Sequence, residues 1–289
     1  MASVPRIEQA LLAAIEPGEQ AGCPPQLAAA VRYAVFPGGA RIRPRLCLAV
    51  AAACGEDHPA VVDAAAAAIE LLHCASLVHD DLPCFDDAST RRGKPSVHRA
   101  YGERLAVLTG DALIVLAFES LADGCIAAPQ RLAPLLRVIG RAVGTGGGIV
   151  AGQAWECEPR AVLAQYQQAK TGSLFAAATL AGATAAGVAE AAPWALVGER
   201  IGEAYQVADD ILDATANAAE IGKPVGRDEA LGRPSAVAQL GLQGAVALVR
   251  RLVADAAAAV PDCPGADALR EVLRAQADAL LPLNLRQAA

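Results

Sequence analysis

Long alanine- and leucine-rich stretches, separated by short segments with glycine or proline, most strongly limit what this chain can fold into. Hydrophobic residues make up 54% of the 289 residues, whereas aromatic residues make up only 3%. Alanine and leucine favour helices, and runs of β-branched or aromatic residues that would favour strands are few. We therefore predict an all-α protein in which residues 1–289 form one domain, a single large bundle of antiparallel helices.

The charge of the chain argues against one class of partner. The formal net charge is −7 at neutral pH, whereas a nucleic-acid-binding surface needs clustered lysine and arginine. We therefore expect no nucleic-acid partner. Any binding of phosphate must depend on local basic residues and on metal ions.

Cysteine usage and hydropathy suggest a cellular location. The eight cysteines include no CxxC pair, and we interpret them as small buried hydrophobic residues of a reducing compartment. The first residues show no apolar core behind a basic start, and histidine, glutamate or proline interrupts the longest apolar stretches. We expect a cytoplasmic protein without a membrane span.

Two aspartate-rich segments lie far apart in the chain, each at the end of an alanine- and leucine-rich stretch. Their carboxylates belong to Asp80, Asp81, Asp86, Asp209, Asp210 and Asp213. Each segment brings three carboxylates within about two helical turns, and oxygen ligands of this kind are what hard divalent cations prefer. The two segments therefore predict a site for divalent metal ions.

Short basic segments alternate with the acidic ones. Arg91 and Arg92 follow the first aspartate segment, and the planar guanidinium of arginine suits phosphate oxygens. Other basic residues that fit this chemistry are Arg41, Arg43, Lys170, Lys223 and Arg233. Arginines beside metal-binding carboxylates predict a magnesium–diphosphate site.

The stretch before the first aspartate segment predicts a helix over residues 61–81, which Pro83 ends. Residues at helical spacing from Asp80 share one face of this helix. They are Ser76, His73, Leu72 and Ile69, with Ala75 at the margin. A face with an acidic head and an apolar stem suits a ligand with a charged end and a hydrocarbon tail.

Seven motifs, in order along nearly the whole chain, resemble those of the trans-isoprenyl diphosphate synthases. They are HDDLPCFD at 79–86, RRGKPSVH at 91–98, GDAL at 110–113, GQAWE at 152–156, KTGSLF at 170–175, YQVADDILD at 205–213 and GKPVGRD at 222–228. The four residues inserted between Asp81 and Asp86 resemble those of bacterial and plant farnesyl and geranylgeranyl synthases. PGGARIRP and HCASLVHDDLP are similar to segments of geranylgeranyl diphosphate synthases from bacterial carotenoid and bacteriochlorophyll pathways.

The resemblance implies an all-α isoprenoid synthase fold and a homodimer. It also implies a deep central cavity, with the two aspartate motifs facing one another at its mouth. Mg²⁺ would be the cofactor, with three ions in the substrate complex. Asp80 and Asp86, with Asp81 assisting, would hold two ions, and Asp209 would hold the third. Asp210 and Asp213 would act through water or from behind these ligands.

The same resemblance implies a head-to-tail prenyltransferase that joins isopentenyl diphosphate to dimethylallyl, geranyl or farnesyl diphosphate. Metal ions and cationic side chains would stabilise the departing diphosphate. Isopentenyl diphosphate would then attack the allylic carbocation, which the backbone oxygen of Lys170 and the side chains of Thr171 and Gln206 would stabilise. The allylic diphosphate would contact Arg91, Lys170, Thr171, Gln206, Lys223 and Arg233, and isopentenyl diphosphate would contact Arg43, His73 and Arg92.

Product length should depend on the apolar stem below the first aspartate motif. One helical turn rises about 5.4 Å, close to the extended length of one isoprene unit, so a bulky residue one turn away would stop growth. Ala75 and Ser76 are small, whereas similar farnesyl synthases commonly carry an aromatic ring at one of these positions. We expect geranylgeranyl diphosphate as the product, with Leu72 and Ile69 as candidates for a deeper floor. A farnesyl diphosphate synthase is the alternative.

Two positions depart from the family pattern. Ala40 stands where a lysine is usual, and Arg41 and Arg43 remain as cations of that segment, so we expect weaker binding of isopentenyl diphosphate at most. Arg233 replaces a common lysine and keeps its charge.

Three other functions are compatible with parts of the pattern. An HD-type metal phosphohydrolase would need more ligands than the four histidines supply. A terpene cyclase or a head-to-head synthase would share the fold, but cyclases usually lack the RRG turn and head-to-head synthases carry different aspartate motifs. A non-catalytic regulatory subunit of a prenyl synthase typically loses metal ligands, and the intact second aspartate motif argues against this function.

Overall fold

The computed structural model describes residues 4–158, 168–215, 235–282 and 285–286, and most of these residues are helical. The first helices are α1 (Val4–Ile15), α2 (Pro25–Val35), α3 (Ile42–Cys54), α4 (Pro59–Asp80), α5 (Val97–Tyr101) and α6 (Glu103–Gly124). They are followed by α7 (Leu132–Val143), α8 (Ile149–Trp155), α9 (Ser173–Ala185), α10 (Trp194–Thr215), α11 (Ala236–Ala258) and α12 (Ala266–Leu280). The predicted all-α class is confirmed, while a single domain over residues 1–289 stays a prediction.

Shorter elements connect these helices. Two 3-10 helices, Glu16–Glu19 and Pro129–Arg131, follow α1 and precede α7, and a π-helix, Gln168–Gly172, leads into α9. Strands β1 (Thr90–Arg91) and β2 (Lys94–Pro95) form a small antiparallel hairpin between α4 and α5. This hairpin holds the predicted basic turn next to the C-terminal end of α4.

Helix α4 forms the centre of the hydrophobic core. It is buried along most of its length and packs most extensively against α6, with α1, α3 and α9 around it. A helix that is apolar on all sides must be covered on all sides, and its alanines let several neighbours approach. The helix predicted over residues 61–81 starts at Pro59, where proline lacks an N–H that the first helical turn does not need.

Two glycines of α6 allow close packing against α4. A Cβ atom at Gly110 would lie 2.0 Å from His79 Nε2, and one at Gly124 would lie 2.3 Å from the Cβ of Ala64. Residue 110 therefore faces residue 79, and residue 124 faces residue 64. The two helices run antiparallel, as predicted for neighbours in the bundle.

Within the described residues, three helices are long and apolar enough to cross a membrane by length and composition. They are Pro59–Asp80, Glu103–Gly124 and Ala236–Ala258. In Pro59–Asp80, 78% of the apolar window is buried inside the fold, whereas in Glu103–Gly124 only 39% is buried. The apolar character of α4 is explained by the core it occupies. The absence of a membrane span stays a prediction.

Candidate active site

A polar cavity of about 440 Å³ lies beside the C-terminal end of α4. Its wall comes from α3, α4, the β-hairpin, α8, the π-helix, α9 and α10. The cavity brings together predicted site residues that are far apart in the sequence: Arg43, His73, Ser76, Asp80, Arg91, Arg92, Lys170, Thr171, Gln206 and Asp209.

The two aspartates at the end of α4 have different surroundings. Asp80 lines the cavity, whereas Asp81 is buried behind it and accepts hydrogen bonds from Arg91, whose Nε lies 2.9 Å from Oδ1. Burial raises the pKa of Asp81, and the ion pair with Arg91 opposes this shift. Asp81 therefore holds Arg91 in the cavity wall. The backbone N–H of Asp86 donates to the carbonyl of Asp80 at 3.0 Å, which places Asp86 beside the end of the helix.

The π-helix places Lys170 against the first aspartate segment. Its Nζ lies 3.1 Å from Asp80 Oδ1 and 2.7 Å from Glu156 Oε1. Gly152 of α8 makes this approach possible, because a Cβ atom there would lie 2.6 Å from the backbone nitrogen of Lys170. π-helical turns are rare and frequently occur at functional sites. The GQAWE motif therefore packs directly against the KTGSLF motif.

Helix α10 carries the second aspartate segment into the cavity. Asp209 is exposed and lines the cavity, and Gln206, one turn earlier, accepts a hydrogen bond from Thr171 Oγ1 at 3.2 Å. Asp210 is buried and its Oδ2 accepts from the backbone N–H of Ala236 at 2.8 Å, which anchors the start of α11. Asp213 is half-buried and does not line this cavity.

The donor set of this cavity fits Mg²⁺. Among the described residues, no group of three or more histidine, cysteine, aspartate or glutamate side chains is arranged to hold a metal ion by itself. Mg²⁺ commonly uses one or two carboxylates together with water and phosphate oxygens. Asp80 and Asp209 supply carboxylates to one cavity, so the diphosphate of a substrate would complete the coordination.

Arg43 and His73 form a second polar surface in the same cavity. The guanidinium of Arg43 lies over the ring of Phe175, 4.3 Å from its centroid, and its Nη1 is 3.5 Å from His73 Nε2. Desolvation lowers the pKa of Arg43, and desolvation together with Arg43 and Arg92 lowers the pKa of His73 well below 6.5. His73 is therefore neutral near pH 7. The buried Nε of Arg43 has no hydrogen-bond partner among the described residues.

Arg41 also belongs to the cavity, and acidic side chains surround it. This residue is buried, with its Nε 2.8 Å from Glu8 Oε1 and its Nη1 2.7 Å from Glu70 Oε1. Its backbone is left-handed, and a Cβ atom at Gly38 would lie 1.9 Å from the guanidinium carbon. Arg41 lines the polar cavity, and its ion pairs with the two carboxylates tie α1 to α4.

A second cavity of about 700 Å³ extends along α4 from Asp80, and most of its wall is apolar. The predicted product-length residues Leu72, Ala75 and Ser76 all line it. Ile69 is fully buried and does not line it. The two cavities share Ser76, Asp80, Ile149 and Gln153 as wall residues. The polar cavity and the apolar channel, as we call this second cavity, therefore meet at the first aspartate segment.

Sequence reasoning missed several residues of these walls. Glu70 and Tyr205 line the polar cavity, and Gln153 lies at the junction with the apolar channel. Gln153 and Tyr205 belong to the motifs GQAWE and YQVADDILD, so the motifs themselves were a signal for them. Phe85, Val107, Ile114 and Val143 line the channel, and of these only Phe85 lies in a motif. Lys223 and Arg233 lie outside the described residues.

This all-α fold is that of the isoprenoid synthases, because it superposes with a TM-score of 0.71 on an isoprenoid synthase family member from Thermotoga neapolitana, 30% identical, over 94% of this chain and 97% of the other. The chain belongs to the polyprenyl synthetase family, whose sequence profile matches residues 24–263. The predicted membership is thereby confirmed, and with it the prediction that the protein is an enzyme of the trans-prenyltransferase type.

Individual relatives extend this result. The chain is 54% identical to a geranylgeranyl diphosphate synthase of Cereibacter sphaeroides over 99% of both chains. It is 53% identical to a geranylgeranyl diphosphate synthase of Rhodobacter capsulatus over 96% of both chains. The fold superposes with a TM-score of 0.75 on a geranyltransferase from Helicobacter pylori solved with magnesium and isoprenyl diphosphate. That structure is 29% identical in sequence, and the match covers 96% of this chain and 98% of the other.

Proposed function

We propose that this protein condenses isopentenyl diphosphate with allylic diphosphates and releases geranylgeranyl diphosphate as its main product. The junction of the two cavities at Asp80 carries the proposal. A cavity with carboxylates and guanidinium groups suits metal-bound diphosphate, and the adjoining apolar channel suits the growing hydrocarbon tail. Two relatives with more than half of their residues identical carry the name of this activity.

The metal ions and the cationic side chains have one task in this reaction. Bound Mg²⁺, three ions in our proposal, would neutralise the diphosphate and favour its departure, with Asp80, Asp81, Asp86, Asp209 and Asp213 supplying ligands or supporting them. Arg91 is held in place by Asp81 and contacts the same diphosphate, with Lys170 beside it. These groups act on the leaving group, so the allylic carbon–oxygen bond ionises.

The second substrate is bound on the opposite side of the cavity. Arg43, Arg92 and neutral His73 hold the diphosphate of isopentenyl diphosphate and orient its double bond towards the allylic carbon. The new carbon–carbon bond forms there, and the proton from the resulting cation passes to the released diphosphate. Thr171 and Gln206, hydrogen-bonded to one another, place their dipoles beside the transient cation.

A homodimer is part of the proposal. Large hydrophobic residues are exposed on α6, namely Val107, Leu108 and Val115. Water would contact this apolar face in a single copy of the chain, and a second copy packed against it would bury the face. Sedimentation equilibrium would test this, and a monomer at micromolar concentration would contradict it. A cytoplasmic location and a role in carotenoid biosynthesis also belong to the proposal, and they rest on the family resemblance.

The test is a product assay with the purified protein. Isopentenyl diphosphate and Mg²⁺ are combined with dimethylallyl, geranyl or farnesyl diphosphate, and chain lengths are read by mass spectrometry after dephosphorylation. A dominant twenty-carbon product is the expected result. A fifteen-carbon product would favour a farnesyl diphosphate synthase, and no condensation with any primer would favour a regulatory subunit.

A further inference from the structure

The depth of each residue in the apolar channel follows from the antiparallel packing of α4 and α6. Gly110 lies opposite His79 because only glycine leaves room for the imidazole ring. One turn further along α6 is Ile114, and one turn back along α4 is Ala75. Both residues line the channel. Ile114 and Ala75 therefore lie at the same depth, on the two neighbouring helices that line the channel.

The channel ends close to this level. Leu72 is its deepest wall residue on α4, and Ile114 is its deepest wall residue on α6. Ile69 and Ala117, about one turn beyond them, are fully buried and do not line the channel.

We propose that Ile114 is a product-length-determining residue that forms the floor of the channel together with Leu72. The inference rests on the proposed function. Ala75 and Ser76 are small, so the larger side chain that α6 contributes at this depth limits the space. A β-branched isoleucine in a helix is held in one strongly preferred χ1 rotamer. Its side chain therefore occupies a fixed position at the end of the channel and blocks further growth of the hydrocarbon tail.

The proposal is tested with Ile114→Phe and Ile114→Ala, after the products of the wild type have been measured. In Ile114→Phe, the ratio of fifteen- to twenty-carbon product rises about tenfold, the discrimination typical of a steric misfit in a hydrophobic pocket. In Ile114→Ala, excess isopentenyl diphosphate yields product one isoprene unit longer than that of the wild type. The first condensation with dimethylallyl diphosphate, whose tail is the shortest, changes less in both variants than the last condensation does.

Ile126→Phe is the matched control. Ile126 follows α6 and is 76% exposed, so the same substitution there leaves the product distribution at its wild-type value. A wild-type distribution in both Ile114 variants, with helix content preserved by circular dichroism, would overturn the proposal. An equal loss of every condensation step in Ile114→Phe would also overturn it, since that result indicates general damage to the fold.

A binding measurement separates this inference from the proposed function. Affinities for geranyl and geranylgeranyl diphosphate are measured with Mg²⁺ by calorimetry for the wild type and Ile114→Phe. The affinity for the twenty-carbon compound falls about tenfold, and that for the ten-carbon compound stays the same. This outcome supports Ile114 even if the wild type condenses nothing, in which case the proposed function alone fails. An unchanged ratio of the two affinities contradicts the role of Ile114.

Discussion

The polar cavity and the apolar channel are built in different ways. The polar cavity is held by directional contacts, such as Lys170 to Asp80 at 3.1 Å and Arg91 to Asp81 at 2.9 Å. The channel is bounded by apolar side chains such as Leu72 and Ile114, which are positioned by helix packing. Ion pairs and hydrogen bonds depend steeply on geometry, whereas burial of apolar surface is non-directional and depends on the area buried. We therefore expect substitutions in the polar cavity to affect rate, and substitutions in the channel to affect product length.

The largest effect is expected from substitutions that remove a carboxylate from the polar cavity. Asp80→Asn and Asp209→Asn each replace a carboxylate that we assign to metal binding by an amide of the same shape. We expect kcat to fall on the order of a thousandfold, because a loss of this size is typical when a group that stabilises charge in the transition state is removed. Steady-state assays with saturating Mg²⁺ measure this. Circular dichroism should show unchanged helix content, and a near-normal rate in either variant would remove these carboxylates from the metal site.

A smaller effect is expected on one side of the polar cavity only. Arg43→Lys loses the planar stacking on Phe175, for which lysine is no substitute. We expect KM for isopentenyl diphosphate to rise about tenfold, the effect of losing roughly 1.4 kcal/mol of binding. KM for the allylic diphosphate serves as the internal control and should stay constant. Equal changes in both constants would contradict the assignment of Arg43 to one substrate.

Substitutions in the channel should change the length of the product and not the rate of the first condensation. Ala75→Phe places a ring in the channel within about two turns of Asp80, so the main product should shorten towards fifteen carbons while the first condensation keeps its rate. Mass analysis of dephosphorylated products measures the distribution. Ala52→Phe on the exposed side of α3 is the control. Twenty-carbon product from Ala75→Phe would place the limiting wall elsewhere.

The smallest expected effect concerns the charge of His73. Its pKa in the folded protein lies below the unfolded value of 6.5, so the unfolded chain binds the additional proton first as pH falls. The free energy of unfolding should therefore decrease below about pH 6.5, by at most about 1.4 kcal/mol per pH unit for one proton. In His73→Gln, which is neutral at every pH, this slope should be smaller. Urea unfolding between pH 7.5 and 5.5 tests the difference, and identical slopes would show that His73 does not titrate in this way.

The chemistry of the polar cavity was largely predictable, because its residues occur in short motifs. Asp80, Arg91, Lys170 and Asp209 were assigned to one site from their residue types and from the family resemblance of their motifs, and the structure places all of them around one cavity. The different placement of Asp80 and Asp81 was not predictable from the sequence. One lines the cavity and the other is buried against Arg91, and that difference depends on where the β-hairpin packs.

The apolar channel was only half predictable. Helical periodicity is local, so the α4 side with Leu72, Ala75 and Ser76 followed from the sequence. The opposite wall depends on which helix packs there and in which register. That register is set by Gly110 and His79, which touch across 31 positions of sequence, so Ile114 gave no signal of its own.

Local patterns in the sequence determined that the chain is helical, that it carries two aspartate segments and several basic segments of the kind that suits metal-bound diphosphate, and which face of α4 carries the stem. These features depend on residues within a few turns of one another. Only the tertiary structure decided that Glu8 and Glu70 pair with Arg41 and that Ile114 lines the same channel as Ala75. Both depend on contacts between distant segments, whose partners are chosen by the packing of the whole core.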